Sequence, residues 1–517
     1  MRTKNSMKNV FMSIFYQIII ILLGFISRKV FIDNLGTDYL GVNGVLTNVL
    51  AAMVLIESGL GTSIVYNLYK PLAEDNREKI ISLVQVYKKV YRILALLLLI
   101  ISICIYPIVI KLMKGTEGIS NITIVYYLFV IKNMISYITA YKWALINADQ
   151  KGYILTMANL VFQVLSTVAK IVILLITSNY VMYLVIDAFI YLIQVLFNGN
   201  IVDRRYPYIK TKKKYKLDID TKNNIVMNVK AMFWHNIGGY CVTSTDNILL
   251  STISVSITGL YSNYTMIISQ LSALIMPVLS GIGASVGNLI ATEGQEKTYE
   301  IFKVSYLINF WICSFCVIFL YVLLEPFIDW WLGKGLLLDK ITYIFVLINF
   351  YISGMRNTVS TFKNKAGLFV QDKYMPAVEG IFNLVMSILL MKHYGIVGIF
   401  IGTTLSTLLI PFWNQPRILY KYLFKKSVFD YFKTYCSYIL LMLIAGSLTF
   451  IICDQIYVSN AFLLLVIKGI VCVTVPNIFF VLVFYRTHEF KYLLNAVYNI
   501  LPSSIKNFVH VLISHNK

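Results

Sequence analysis

Apolar runs of about 20 residues, the length at which a helix crosses a bilayer, recur along this chain with short polar breaks between them. Six fall at 8–28, 39–66, 83–110, 122–146, 154–176 and 181–202, and six more at 225–250, 257–290, 302–331, 341–362, 377–391 and 396–413. A last pair lies at 436–453 and 461–485. The pattern predicts an all-α polytopic membrane protein with fourteen transmembrane helices.

The pattern is also duplicated. Ser58-Gly59-Leu60-Gly61-Thr62-Ser63-Ile64 returns as Ser280-Gly281-Ile282-Gly283-Ala284-Ser285-Val286. Asn67 and Glu78-Lys79 follow the first copy as Asn288 and Glu296-Lys297 follow the second. Asn9-Val10 answers to Asn228-Val229, and Lys151, past Asp149-Gln150, to Lys373, past Gln371-Asp372. A repeated unit with an even number of spans enters the membrane from the same side both times, so an axis along the membrane normal relates the copies. The expected organisation is therefore a lobe at 1–202, a basic linker at 203–224, a second lobe at 225–413 facing the first across a cleft, and a final segment, 414–517, with two helices and a tail. Gly59, Gly61, Gly281, Gly283 and Gly287 are read as points of close helix approach. Gly281-x-Gly283-x-x-x-Gly287 is no dinucleotide fingerprint, because no strand precedes it.

Composition agrees: 58% of residues are hydrophobic, 13% are charged and the mean hydropathy is +0.74, values that exclude a soluble globular protein. The net charge of +21 does not indicate nucleic acid, because the basic residues sit in short loops between spans. Starting from a cytoplasmic N-terminus, alternation puts roughly 31 of the 45 Lys and Arg inside and roughly 5 outside (Lys111, Lys114, Lys334, Lys340, Lys392). Both termini are then cytoplasmic. No small-residue cleavage site follows the run after Lys8, so the first span is read as an anchor. Cys313 and Cys316 have the spacing of a redox or zinc pair, but no second pair or histidine cluster accompanies them, and no metal or other cofactor is expected.

Charges inside spans are costly and mark candidate sites. Lys132 lies ten residues into its span, about 15 Å deep at about 1.5 Å per residue, which is near the midplane. Asn349, Ser353, Arg356 and Ser360 form one polar stripe on the tenth span, and Ser13, Gln17, Gly24 and Arg28 a similar one on the first. Arg28, Lys142, Lys170 and Lys230 lie nearer span ends, where snorkelling competes with cavity lining. Glu57, Asp187 and Asp246 are candidates either for ion pairs with these bases or for ion or proton coupling. The basic excess favours an anionic substrate group over a cationic drug.

The stretch from Arg28 to Gly41, with Ile56-Glu57-Ser58-Gly59-Leu60-Gly61-Thr62-Ser63-Ile64 and Leu68-Tyr69-Lys70-Pro71, resembles the opening of the polysaccharide transporters. These Wzx-type flippases belong to the multidrug/oligosaccharidyl-lipid/polysaccharide exporter superfamily, which also holds the lipid II flippases and the multidrug extruders. The resemblance implies a V of two six-helix lobes in a bacterial cytoplasmic membrane, moving an undecaprenyl-diphosphate-linked oligosaccharide outward by alternating access. Its partners would be the lipid bilayer and the polymerase and export proteins of the same pathway. It also implies basic cavity residues on the diphosphate: Arg28 fits within the matching motif, and Lys132 and Arg356 fit by depth and helical phase. Lys132 and Arg356, on the equivalent fourth and tenth spans, are the pair expected to hold the diphosphate jointly, with Arg28 and Lys170 as the next pair to test. A multidrug extruder shares the fold but typically lacks the last pair of spans and uses acidic cation sites. A polymerase or membrane glycosyltransferase usually needs a sizeable external domain, whereas the longest external loop here, 111–121, is of ordinary length. No Gly-x-x-x-x-Gly-Lys-[Ser/Thr] phosphate loop is present, and the chain is not expected to be an enzyme.

Overall fold

The computed structural model describes residues 2–57, 60–149, 151–223, 225–227, 229, 240, 244–368 and 370–500. Within them the regular structure is helical throughout, and the chain is an all-α polytopic membrane protein with seventeen α-helices among the described residues. These are α1 (Arg2–Val54), α2 (Leu60–Ala73), α3 (Arg77–Leu112), α4 (Ile122–Tyr137), α5 (Ala140–Ala148), α6 (Tyr153–Thr177), α7 (Tyr180–Arg205), α8 (Thr245–Ile253) and α9 (Val255–Thr292). They are followed by α10 (Gln295–Leu332), α11 (Lys340–Lys365), α12 (Met375–Tyr394), α13 (Ile396–Leu409), α14 (Pro411–Leu419), α15 (Phe429–Asp454), α16 (Ala461–Phe484) and α17 (His488–Ile500).

Eight segments among the described residues are long and apolar enough to cross a membrane: α3, α6, α7, α10, α12, α13 continued through α14, α15 and α16. The fourth expected span is a bent pair, α4 and α5, at 44° to each other, and counts as a ninth. The expected total of fourteen is thus only partly visible as simple apolar helices: the first, seventh and eighth expected spans, 8–28, 225–250 and 257–290, run partly through residues or side chains outside the described ones, and other departures have physical causes. The break expected between 28 and 39 is reduced to a kink at Gly36, whose φ of 83° is open to glycine and costly for other residues. The second expected span is interrupted by a tight turn at Leu55–Glu57 before α2 begins. Helix α11 is long enough, but Asn349, Ser353, Arg356, Asn357 and Ser360 lower its hydropathy.

By internal contacts the chain forms two compact units, one of Met1–Leu274 with Pro376–Gly402, the other of Ile275–Met375 with Thr403–Lys517. In the first, α1 packs on α6 and α8, α6 on α7, and α4 on α7. The polar stripe of α1 meets the start of α9 in antiparallel register. Gln17 donates to Gln270 at 3.0 Å, Gly24 faces Met266, and Thr37 pairs with Ser256 at 3.0 Å. At the kinked end the backbones touch: a Cβ on Gly41 would lie 1.7 Å from the Val255 carbonyl oxygen, and one on Gly259 2.1 Å from that of Thr37. Of the glycines where close approach was expected, Gly59 and the surroundings of Gly281, Gly283 and Gly287 lie outside the described structure, and a Cβ on Gly61 would lie 3.8 Å from the Tyr91 hydroxyl, an ordinary contact.

The second unit is built on α10, which packs against α11, α15, α16 and α17. Its core is aromatic, with Phe302, Tyr306 and Phe310 along one face of α10 and Tyr431, Tyr438, Phe480 and Phe484 closing over them. Phe310 stacks on Tyr438 with ring centroids 4.1 Å apart.

Candidate functional site

Because the residues of α1 on either side of Gly36 turn polar groups to the same space, the first unit carries an open cavity of about 510 Å³. Arg28 comes from one segment of α1, and Asn43, Thr47 and Asn48 from the other. Gln163, Thr167 and Lys170 come from α6, Tyr183 from α7, Asn247 from α8, and Ser262, Thr265, Ser269 and Gln270 from α9. The Arg28 guanidinium donates to Ser262 Oγ at 2.7 Å and to Asn263 Oδ1 at 3.3 Å, which aims it across the cavity and leaves it without a carboxylate partner in those contacts.

Lys170 lies on the same wall over the Tyr183 ring, 5.2 Å from its centroid, and its ammonium is 3.2 Å from Asp187 Oδ1. Ser166 donates to that same oxygen at 2.7 Å. The other carboxylate oxygen, Oδ2, pairs with Lys132. Asp187 is thus shared by two lysines from two helices. The lysines differ in setting: the Lys170 side chain is 14% exposed and lines the cavity, whereas that of Lys132 is 39% exposed, does not line it, and lies 5.7 Å from the Tyr191 ring centroid.

The remaining candidates separate. Lys142, on α5, is held by Asp203 at 2.8 Å, with Lys210 3.9 Å from the same carboxylate, so it closes the end of α7 and is absent from the cavity wall. Lys230 lies outside the described residues. Asp246 is buried on α8, one residue before Asn247 of the cavity wall. Glu57, at the turn before α2, lies near the hydroxyls of Tyr91 and Tyr137. Among the described residues no Lys or Arg nitrogen lies within 4.0 Å of the Glu57 carboxylate. Arg356 belongs to the second unit, in a small hollow with Pro411, Pro416, Tyr431 and Tyr435. Asn349, on the same stripe, accepts from Thr404 of α13 at 2.7 Å.

Next to that hollow, and sharing Ile352, Phe412 and Tyr435 with it, the second unit holds a larger cavity of about 810 Å³. Its wall is almost wholly apolar, from Val317 and Ile318 on α10 through Leu347 and Ile348 on α11 to Met442, Gly446 and Phe450 on α15. Sequence reasoning missed this cavity, because an apolar residue lining a void is indistinguishable by type from one in a core. It also missed the amides Asn43, Asn48, Gln163 and Gln270, although Asn43 and Thr47 at i and i+4 were a readable signal.

Comparison with solved structures decides the fold. Lipid II flippase MurJ, in an inward closed conformation, matches 92% of this chain and 99% of its own at 13% identity, with a TM-score of 0.65. The chain has the fold of the MOP-superfamily transporters. A point mutant of the Vibrio cholerae MATE transporter VcmN matches 81% of this chain and 96% of its own at 13% identity, TM-score 0.55. An inward-facing multidrug resistance MATE family transporter of the MOP superfamily matches 81% and 99% at 14% identity, TM-score 0.51. No protein-family model matches the chain, and no curated protein sequence does. These neighbours are transporters, not enzymes. Gly283-Ala284-Ser285-Val286-Gly287 has the spacing of a hydrolase nucleophile elbow, but its backbone runs inside α9 and not through the strand-to-helix turn that motif needs.

Proposed function

We propose that this chain is a flippase that moves an oligosaccharide, linked through a diphosphate to undecaprenol, across a bacterial cytoplasmic membrane for cell-surface polysaccharide synthesis. The observation that supports it most is the polar cavity of the first unit, which both Arg28 and Lys170 line. Arg28, Lys170 and Lys132 set against Asp187 leave two net positive charges. A diphosphate esterified at both ends carries two negative ones. Arginine grips a phosphate with a planar fork while lysine acts as a point charge, and the surrounding amides and hydroxyls suit sugar hydroxyls. The apolar cavity of the second unit suits an isoprenoid chain.

In this reading the lobes at 1–202 and 225–413 alternate in access about an axis along the membrane normal, and α15 and α16 complete fourteen spans. The 203–224 linker and both termini are cytoplasmic, and Arg356 is the candidate cation of the second lobe. Deleting the gene should accumulate the lipid-linked intermediate on the cytoplasmic leaflet. Arg28→Ala and Lys170→Ala should each stop export of surface polysaccharide while the protein still inserts. Wild-type export from the double variant at normal expression would sink the assignment.

A cation-coupled multidrug extruder keeps one specific observation in its favour, the Glu57 carboxylate near two tyrosine hydroxyls with no Lys or Arg nitrogen within 4.0 Å among the described residues. In the flippase reading Glu57 and Asp246 are the candidates for ion or proton coupling. Efflux of a quaternary ammonium dye from proteoliposomes, lost in Glu57→Gln, would favour the extruder.

A further inference from the structure

Asp187 touches a cation that lines the polar cavity, Lys170, and the proposed transport gives it no role. Its setting is specific. Oδ1 takes both the Ser166 hydroxyl, at 2.7 Å, and the Lys170 ammonium, at 3.2 Å, while Oδ2 takes Lys132 from the opposite side. The carboxylate is itself buried and does not line the cavity, so it meets the cavity only through Lys170.

We infer that Asp187 is an internal counter-anion: it holds Lys170 while the cavity is empty and gives the ammonium up to the phosphate that enters. The inference rests on the diphosphate reading above. The exchange is one of charge: a lysine ammonium has three donors, but with Asp187 at 3.2 Å its positive charge is shared with that carboxylate, and a ligand meets it in full only when the contact is released. When Lys170 turns to the phosphate, Asp187 keeps Lys132 and Ser166, so no buried charge is stranded. Lys132 is then a positioning residue, which makes the release of Lys170 tolerable. When the phosphate leaves, Asp187 recaptures Lys170, and the site is reset without a change in protonation.

The energetic consequence is a moderated affinity. A binding-competent state that is populated only a fraction of the time raises the apparent Kd by the inverse of that fraction. If Asp187 holds Lys170 about nine-tenths of the time, freeing the lysine tightens anion binding about tenfold. A transporter gains from this, since a site that grips too well cannot release.

The test uses the full-length chain in nanodiscs of zwitterionic lipid, with inorganic diphosphate as the probe and calorimetry as the readout. Asp187→Asn should bind diphosphate about tenfold more tightly than wild type while exporting less polysaccharide in cells. Lys170→Met should bind weakly, and adding Asp187→Asn to it should change nothing further. Asp187→Asn with Lys132→Met keeps the net charge of the wild-type cluster, so tighter binding there too would assign the effect to release of Lys170 rather than to the local field. Asp187→Glu should restore wild-type affinity. If wild type binds diphosphate and Lys170→Met does not, yet Asp187→Asn and the double variant, both folded by fluorescence size-exclusion, bind no more tightly than wild type, the counter-anion is overturned and the diphosphate site stands. If wild type binds no diphosphate, the reading beneath it falls and the inference with it.

Discussion

The two cavities are opposites built from the same material. In the first unit, helices that are mostly apolar along their length turn Arg28, Lys170 and five amides of Asn and Gln onto one concave surface. In the second, helices of similar hydropathy turn Val317, Leu347, Met442 and Phe450 inward. The difference lies in helical phase. A segment such as 37–54 of α1 presents Asn43, Thr47 and Asn48 to the polar cavity, while Val45, Val49 and Met53 line a separate apolar one of about 360 Å³. An amphiphile with a charged link between a lipid and a sugar needs surfaces of both kinds, and a cationic drug does not need the first.

Neutralising the polar wall should have the largest effect. Arg28→Gln with Lys170→Met removes charge-assisted contacts of about 1.5–3 kcal/mol each, so export per inserted molecule should fall at least about a hundredfold. The apolar cavity should be unaffected, as judged by retention of a hydrophobic fluorophore. Next comes Lys142, a cation of the same lobe that lies off the cavity. Lys142→Met should cost about 3 kcal/mol of stability by leaving the Asp203 carboxylate short of its main partner, yet leave diphosphate affinity at the wild-type value. A weakened diphosphate affinity at normal folding would blur the line drawn here between scaffold and site.

A smaller change tests the apolar side. Gly446 lines the apolar cavity with Ile318 3.5 Å from its virtual Cβ, and Gly446→Leu should fill part of the void. Overpacking at about 1–3 kcal/mol should lower export of the lipid-linked unit about tenfold with no change in binding of inorganic diphosphate. Loss of diphosphate binding there would mean that the two surfaces do not divide the substrate as proposed.

The smallest effect concerns the linker. Thr221, first through its hydroxyl and then its amide, holds the Asp218 carboxyl down to about 2 against an ordinary value of 3.8, and Lys79 at 3.2 Å adds to this. A folded value below the unfolded one stabilises above the ordinary value and is lost as pH falls through about 2. The pair is exposed, so a double-mutant cycle on Lys79 and Asp218 at pH 7 should give less than about 1 kcal/mol. The coupling should persist at pH 3.

The helical architecture and the membrane class were legible because apolar length is a strong signal. The polar stripe of α1 was legible too, since Gln17, Gly24 and Arg28 all turn toward α9. Three things were not. The partner of Asp187 could not be chosen among Lys132, Lys142 and Lys170, because the pairings span 17 to 55 residues along the chain and depend on the bend between α4 and α5. Glu57 gave no sign of its tyrosines, 34 and 80 positions away. The contact of Gly41 with Gly259 lies outside the repeated heptad, where glycine was expected to matter, and only the antiparallel register of α1 and α9 reveals it.

That contact bears on leakage. At the kinked end of the cavity the closure is made by main-chain atoms, with Gly41 and Gly259 on the Val255 and Thr37 carbonyls, and nearby the Lys114 amide on Ser251 and the Val255 amide on the Lys114 carbonyl at 2.9 and 3.0 Å. Side chains rotate on the nanosecond scale, whereas a backbone contact opens only when a helix moves, in microseconds or longer. A flickering rotamer therefore does not open these contacts. In the flippase reading, opening at this end needs the same slow helix movement that carries the cargo, so conductance and transport should rise and fall together.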